Sequence, residues 1–291
     1  MAARRRRPEP SDYDRVRTAF EPVRADRSHG ARALSGEALR ILSDLLAGWE
    51  QEPDVSLRAA FRRTARALES AQPAMGPFLR WAGEWRRMAR VGVRGNRLRT
   101  ARAWLRRERS RRAAETVRLT RTCAKSFPED ARHVVTLSRS ETVLRGLSAV
   151  PSARRPDRIS VLESLPGGEG RRFARELRNA GFAARVIPDR EGPAVVRHAD
   201  LVVVGADAVF SDGSVAHKVG TRALARAAHR SHVPVIVIAA VSKFTGRPAP
   251  RRPLPGWFDR TPSRFLTAFW TDRGVRPGGA RPGRPPRRSS L

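Results

Sequence analysis

LVVVGADAVFSDGSVAHKVGT (201–221) is the stretch whose reading decides the fold. Four apolar residues run straight into Gly205-Ala206-Asp207, a short polar loop follows, and Lys218, Gly220 and Thr221 come just beyond. A near-continuous apolar run reads as a strand buried on both faces, the mark of a parallel sheet. The lone carboxylate then falls past the strand's carboxyl end, where open parallel sheets bind their ligands.

The neighbouring sequence repeats this grammar. HVVTL (133–137), ISVLE (159–163), AARVIP (183–188), DLVVVGA (200–206) and VPVIVIAA (233–240) read as strands. SETVLRGLSAV, GEGRRFARELRNAG and HKVGTRALARAAHRS lie between them and read as helices. Strand and helix in alternation predict an α/β fold, a Rossmann-like parallel sheet with helices on both faces, over 128–276. Upstream the period is helical. ALSGEALRILSDLLAGW (33–49) and DVSLRAAFRRTARALESA (54–71) each carry one apolar face. A break at Gln72-Pro73 precedes AMGPFLRWAGEWRRMARVG, and 96–127 reads as one long helix with a basic face. A helical bundle is therefore expected over 28–127. Residues 1–27 read as a basic, poorly ordered segment. From 246 the chain turns Pro- and Arg-rich, with one island, GWFDRTPSRFLTAFW (256–270), aromatic enough to pack. The tail 277–291 reads as disordered.

The chain has 291 residues and a formal charge of +31, and only three of its 59 basic residues are lysines: Lys125, Lys218 and Lys243. Codon bias in a GC-rich genome explains an arginine skew. It also draws attention to the lysines, which keep a compact ammonium that a planar guanidinium does not replace. The charge fits either a solvated arginine surface or attraction to the phosphate backbone of RNA. Cys123 is alone, so neither an intrachain disulfide nor a cysteine metal site is expected. No apolar segment follows MAARRRRPEP, and the longest apolar run, VPVIVIAAV (233–241), is too short to span a bilayer. A soluble, cytoplasmic protein without membrane association, cofactor or metal is the expectation.

The residues at the predicted strand ends form one rim. Ser138, Arg139 and Ser140 follow the first strand, and Glu163 and the Gly167-Gly168-Glu169-Gly170 loop follow the second. Asp207 and Lys218 follow the fourth, and Ser242 and Lys243 the fifth. Ser140 reads as a helix cap, which is compatible with anion binding. The glycine loop lacks the G-x-G-x-x-G spacing, and no G-x-x-x-x-G-K-[ST] occurs, so standard dinucleotide and P-loop sites are not indicated. Asp207 and Lys218 read either as a structural ion pair or as parts of a site for a phosphorylated small molecule. In the second case Lys218 and Lys243 neutralise phosphate and Asp207 holds hydroxyls or acts as an acid/base.

At these residues the chain resembles a known family. It unites the α/β/δ subunits of eukaryotic translation initiation factor 2B with the isomerases of methylthioribose-1-phosphate and ribose-1,5-bisphosphate. VVTLSRSETVLRGL, VLESLPGGEGRRFARELRNAGF, ADLVVVGADAVFSDGSVAHKVGTRALARAA, VPVIVIAAVSKF and FDRTPSRFLTAFWTDRGV carry the likeness, with SHGARALSGEALRIL and AQPAMGPFLRW upstream. The resemblance implies an N-terminal helical domain, a Rossmann-like C-terminal domain and a homodimer through the latter. It also implies a catalytic cysteine after the first strand and a catalytic aspartate in the G-A-D block. The aspartate falls on Asp207, but the cysteine position is Ser138. Leu165 stands where the isomerases carry an arginine, and His29-Gly30-Ala31 where they carry Arg-Gly-Ala. A hydroxyl is far from ionising near neutral pH, whereas a thiol is within reach. Three readings follow: a non-catalytic, initiation-factor-2B-like protein that binds a sugar phosphate or nucleotide; an aldose–ketose isomerase using Asp207; or an RNA- or ribosome-associated basic protein.

Overall fold

The structure, a computed structural model, describes residues 12–26, 29–50, 54–90, 96–251 and 253–279. The chain divides into two compact units, one of Met1–Asp26, Leu34–Pro73 and Phe78–Arg109, the other of Arg27–Ala33, Ala74–Pro77 and Ser110–Leu291.

Five helices come first: α1 (Asp12–Ala25), α2 (Ala31–Gly48), α3 (Asp54–Ala71), α4 (Gly76–Arg90) and α5 (Asn96–Ser126). In the first unit α1 packs on α3. Val16, Phe20 and Val23 recur at i, i+4 and i+7 and are buried, so this part of the basic N-terminal segment is helix, contrary to expectation. The expectation of poor order for residues 1–11 lies outside the described residues. Trp49, Phe61, Trp85 and Trp104 form the core, with Trp85 and Trp104 edge-on at 5.9 Å and 89°. Glu108, buried among them, accepts the Trp81 indole N–H at 2.9 Å and pairs with Arg80 at 2.6 Å. A buried carboxylate needs such partners to offset its lost hydration.

The second unit holds the sheet. Its strands alternate with helices: β1 (His133–Leu137), α6 (Glu141–Ser148), β2 (Arg158–Leu162), α7 (Glu169–Asn179), β3 (Ala184–Ile187), α8 (Gly192–Val196) and β4 (Leu201–Val204). A hairpin of β5 (Ala208–Val209) and β6 (Val215–Lys218) follows, then α9 (Thr221–Arg230), β7 (Val235–Ile238), β8 (Phe258–Thr261), β9 (Ala268–Thr271) and β10 (Gly274–Pro277). The large sheet runs β10-β9-β7-β4-β1-β2-β3 and is parallel except for β10. Its strands bury both faces. Val134, Leu201 and Val203 face α5, α6 and α7 through Leu119, Phe127, Leu147 and Phe173. Val135, Val202 and Val204 face the other side, with Leu224, Ala228 and Phe269. Each buried aliphatic side chain contributes about 1.5–3 kcal/mol, so β-branched runs are favoured here whatever their local propensity.

Two expectations are corrected. His217 and Lys218 were expected to open the helix; they lie instead in β6, paired antiparallel with β5 and β8. The cause is the turn at 211–214, where the Asp212 carboxylate accepts the Ser214 N–H at 2.9 Å and hydroxyl at 2.6 Å. That Asx-type turn folds the chain back before the helix can start. The aromatic island, expected only to pack, supplies β8 and most of β9, and β10 carries order to Pro277. Of the tail 277–291 expected to be disordered, Pro277 belongs to β10, and residues 280–291 lie outside the described residues. Between β7 and β8 the excursion from Thr245 to Trp257 is fastened at both ends. Thr245 N–H donates to Val209 O at 2.9 Å and Ser211 N–H to Arg247 O at 2.9 Å; Val219 N–H donates to Trp257 O at 3.0 Å.

Candidate functional site

β1 has β2 on one side and β4 on the other. Strand order reverses here, and open parallel sheets bind their ligands beyond the carboxyl ends of the strands at such a switch point, here β1 and β4. The second unit builds a cluster of charged side chains at this point.

β1 ends at Ser138, which has φ 59. A non-glycine residue in the left-handed region costs ~1–3 kcal/mol and is typical of functional turns. Its half-buried side chain has no hydrogen-bond partner among the described residues. Ser140 then caps α6, accepting the Val143 N–H at 3.3 Å. It packs so closely on the end of β4 that a Cβ at Gly205 would lie 2.6 Å from its hydroxyl. Only glycine lets the two strand ends approach this far.

Asp207 is the centre of the cluster. Its N–H donates to Ala216 O at 2.9 Å and its carbonyl accepts Gly76 N–H at 2.8 Å. Part of its surface reaches solvent, yet the carboxylate is ringed by protein and accepts the Ala31 N–H. Burial lifts its pKa above the ordinary carboxylate value, against the opposing pull of Lys243, the Ala31 amide and Lys218. Lys243 is buried and donates from Nζ to Ala206 O. Burial pushes its pKa down, opposed by Asp207 and reinforced by Arg112 and Arg32.

His217 stands next to this pair. Its Nδ1 lies 2.7 Å from Gly205 O. A carbonyl can only accept, so Nδ1 carries the proton and Nε2 the lone pair. The ring is buried and its pKa is pushed down to about 3, chiefly by burial. Nε2 finds no partner among the described residues. Lys218, one residue on, pairs with Glu169 at the start of α7 and lies 4.4 Å from the centre of the Trp257 ring.

Of the residues singled out in the sequence, Ser140, Asp207 and Lys243 gather at the switch point, and Lys218 is near enough for its charge to act on Asp207. Arg139 turns to Glu176 on α7, with Nε at 2.8 and 3.0 Å from the two carboxylate oxygens. Glu163 accepts from Arg171 at 2.7 Å. Sequence reasoning missed a shell of polar groups around the cluster. Arg32 pairs with Glu141 at 3.1 Å and donates to Thr116 at 2.7 Å; Arg112 donates to Arg32 O at 2.8 Å; and Glu115 accepts at 2.9 Å from Ser242, which the sequence had placed on the rim. Periodicity could not signal these residues, because on a helix they look like ordinary solvated charges. Among the described residues, no group of three or more His, Cys, Asp or Glu is arranged to hold a metal ion. None of the described helices is long and apolar enough to cross a membrane.

Residues 27–251, a span that includes Asp207, Lys218 and Lys243, match the initiation factor 2 subunit family. The chain belongs to this family. Among the relatives of this family member is a translation initiation factor eIF-2B subunit 2-like protein of Pyrococcus abyssi. The two are 31% identical over 231 residues, 79% of this chain and 80% of the relative. The ribose 1,5-bisphosphate isomerase of Archaeoglobus fulgidus is 25% identical over 246 residues, 80% of this chain and 72% of the relative. The crystal structure of a translation initiation factor eIF-2B from Pyrococcus horikoshii OT3 superposes with a TM-score of 0.75 at 25% identity, over 90% of this chain and 96% of that one. The family membership accounts for the order of elements, a helical region followed by a largely parallel sheet.

Proposed function

We propose that this initiation factor 2 subunit-family chain binds a sugar phosphate or a nucleotide at the carboxyl ends of β1 and β4, as a regulatory protein without turnover. The observation that carries this reading is Asp207 beside Lys243 at the switch point, within reach of the charge of Lys218, with only a hydroxyl, Ser138, at the end of β1. Cations suit a phosphate, and a carboxylate suits sugar hydroxyls. A relative named as a ribose 1,5-bisphosphate isomerase supports the ligand class. The case against turnover is chemical. The Ser138 hydroxyl is no practical base at neutral pH. Cys123 cannot stand in for it: the thiol is packed against α6 in the apolar core, and burial pushes its pKa up to about 12. Buried and neutral, it is neither nucleophile nor base.

Calorimetric titration of the full chain with pentose phosphates, hexose phosphates and nucleoside monophosphates tests the reading, with product assay on every ligand that binds. Saturable binding without conversion is expected. Conversion of a pentose phosphate would favour the second reading, an aldose–ketose isomerase in which Asp207 moves protons. The raised pKa of Asp207 favours that reading, because an acid/base works best near ambient pH. In that case Asp207→Asn must abolish turnover. No binding by any compound of the panel removes both. A homodimer through the second unit is proposed alongside, and sedimentation equilibrium tests it.

A further inference from the structure

The outer face of α9 carries Arg222, Arg226 and Arg230, all exposed. The inner face buries Thr221, Leu224, Ala225, Ala227 and Ala228, so the three arginines are locked to the outside by the packing of the opposite side. They recur at i, i+4 and i+8, about 6 Å apart along the axis. That is roughly every second phosphate of a strand rising ~3.4 Å per nucleotide. The helix TRALARAAHR contains no acid, and neither Arg226 nor Arg230 forms an ion pair among the described residues. The helix α7 differs: Arg171 pairs with Glu163 and Arg172 with Glu176. The carboxylate under the first turn of α9, Asp259, accepts the N–H groups of Gly220 and Arg222 on Oδ2 at 2.9 and 3.1 Å and feels the charge of Arg222, so the unpaired positions of the row are Arg226 and Arg230. The adjoining helix α8 ends on another exposed arginine, Arg197.

We infer that this face of α9 is a docking surface for the phosphate backbone of RNA. Charge complementarity selects the class: guanidinium forks in a straight row suit phosphates, which they grip in pairs. A protein partner fits less well. Protein interfaces are anchored by buried aromatic or large apolar groups, and the exposed positions of α9 are Arg222, Ala223, Arg226, His229 and Arg230. A lipid surface likewise lacks an apolar side chain to insert. Binding through the backbone alone is independent of sequence and strongly dependent on salt. This surface belongs to α9 and does not rest on the sugar-phosphate reading.

The test measures anisotropy of a labelled oligouridine with the full chain over a series of salt concentrations. The triple variant Arg222→Gln, Arg226→Gln and Arg230→Gln keeps a good helix former at each position, and circular dichroism checks its fold. Losing three contacts at about 0.7 each should flatten the log–log salt slope by ~2 and weaken binding roughly 100-fold at ~0.1 M salt. Removal of residues 280–291 should leave most of the binding in place. Three outcomes overturn the inference: no binding by the parent chain, an unchanged slope in the triple variant, or loss of binding with the tail alone. Polyglutamate or vesicles of anionic lipid that compete as well as RNA would overturn RNA as the partner.

Discussion

His217→Gln should remove a defined part of the protein's acid sensitivity. In the folded chain the imidazole is neutral, held there by burial that brings its pKa from 6.5 to about 3. In the unfolded chain it takes a proton below about pH 6.5. The folded pKa is the lower one, so between these values the unfolded state binds more protons, and stability falls as pH falls. Across the whole window, at 1.36 kcal/mol per unit, the loss approaches about 5 kcal/mol. At pH 5 the loss is already ~2 kcal/mol, a large share of the ~5–15 kcal/mol that a domain has. Glutamine can still donate to Gly205 O and cannot titrate. The assay is hydrogen exchange of the β4 and β7 amides between pH 7.5 and 5, which reports on the unit that contains His217. Because His133 titrates in both proteins, it cancels in the difference. Whatever its stability at pH 7.5, the variant's profile should be flatter by ~2 kcal/mol between these limits. Parallel profiles for the two proteins would show that His217 is not held neutral by its burial.

Three further outcomes are expected. Gly205→Ala should cost ~1–3 kcal/mol by forcing Ser140 off its cap, and much less in a Ser140→Gly background, where the clash is gone. A thermal-shift double-mutant cycle reads that coupling, and additive losses would contradict the close approach. Native Cys123 should resist iodoacetamide until the chain unfolds, as mass spectrometry of timed samples can show; fast labelling would contradict its burial. Asp259→Asn should alter the pH profile in the opposite sense to His217→Gln. Burial raises the folded pKa of Asp259 from 3.8 to about 6, so the native state gains stability as pH falls through that range. The variant forgoes a gain of no more than about 3 kcal/mol, less the screening of its exposed part. Denaturant midpoints at pH 7 and pH 4.5 measure it, and an unchanged difference between them refutes it.

The sheet was legible because its strands are buried on both faces and so are apolar without interruption. Val134-Val135 and Leu201–Val204 announce themselves in any reading. The placing of Asp207 and Lys243 followed from topology alone, since residues just past parallel strands must meet at one edge. The hairpin was not legible. His217-Lys218 sits at the right spacing to begin the helix that carries Leu224 and Ala228, and nothing in the period shows that the Asp212 turn intervenes. The destinations of the charges were equally hidden. Sequence shows that Lys218 is rare but not that Glu169, nearly fifty residues earlier, is its partner. Arg139 looked like part of the site until α7 presented Glu176. Long-range pairing of side chains is set by how helices lie on the sheet, and a one-dimensional pattern does not carry that.

The fastened excursion between β7 and β8 has a practical use. The hydrogen bonds at Thr245, Arg247 and Trp257 fix where the chain leaves the sheet and where it returns, whatever lies between. Added length there changes only the entropy of a closed loop, ~0.6 kcal/mol for each doubling. The exposed Pro250 and Arg251, between Ala249 and Leu254 that pack on Ala208, Phe210 and Ala216, are therefore a natural port for grafting an epitope or a split reporter. A tag placed there would leave both chain ends untouched, which matters for a protein whose termini are as densely charged as these.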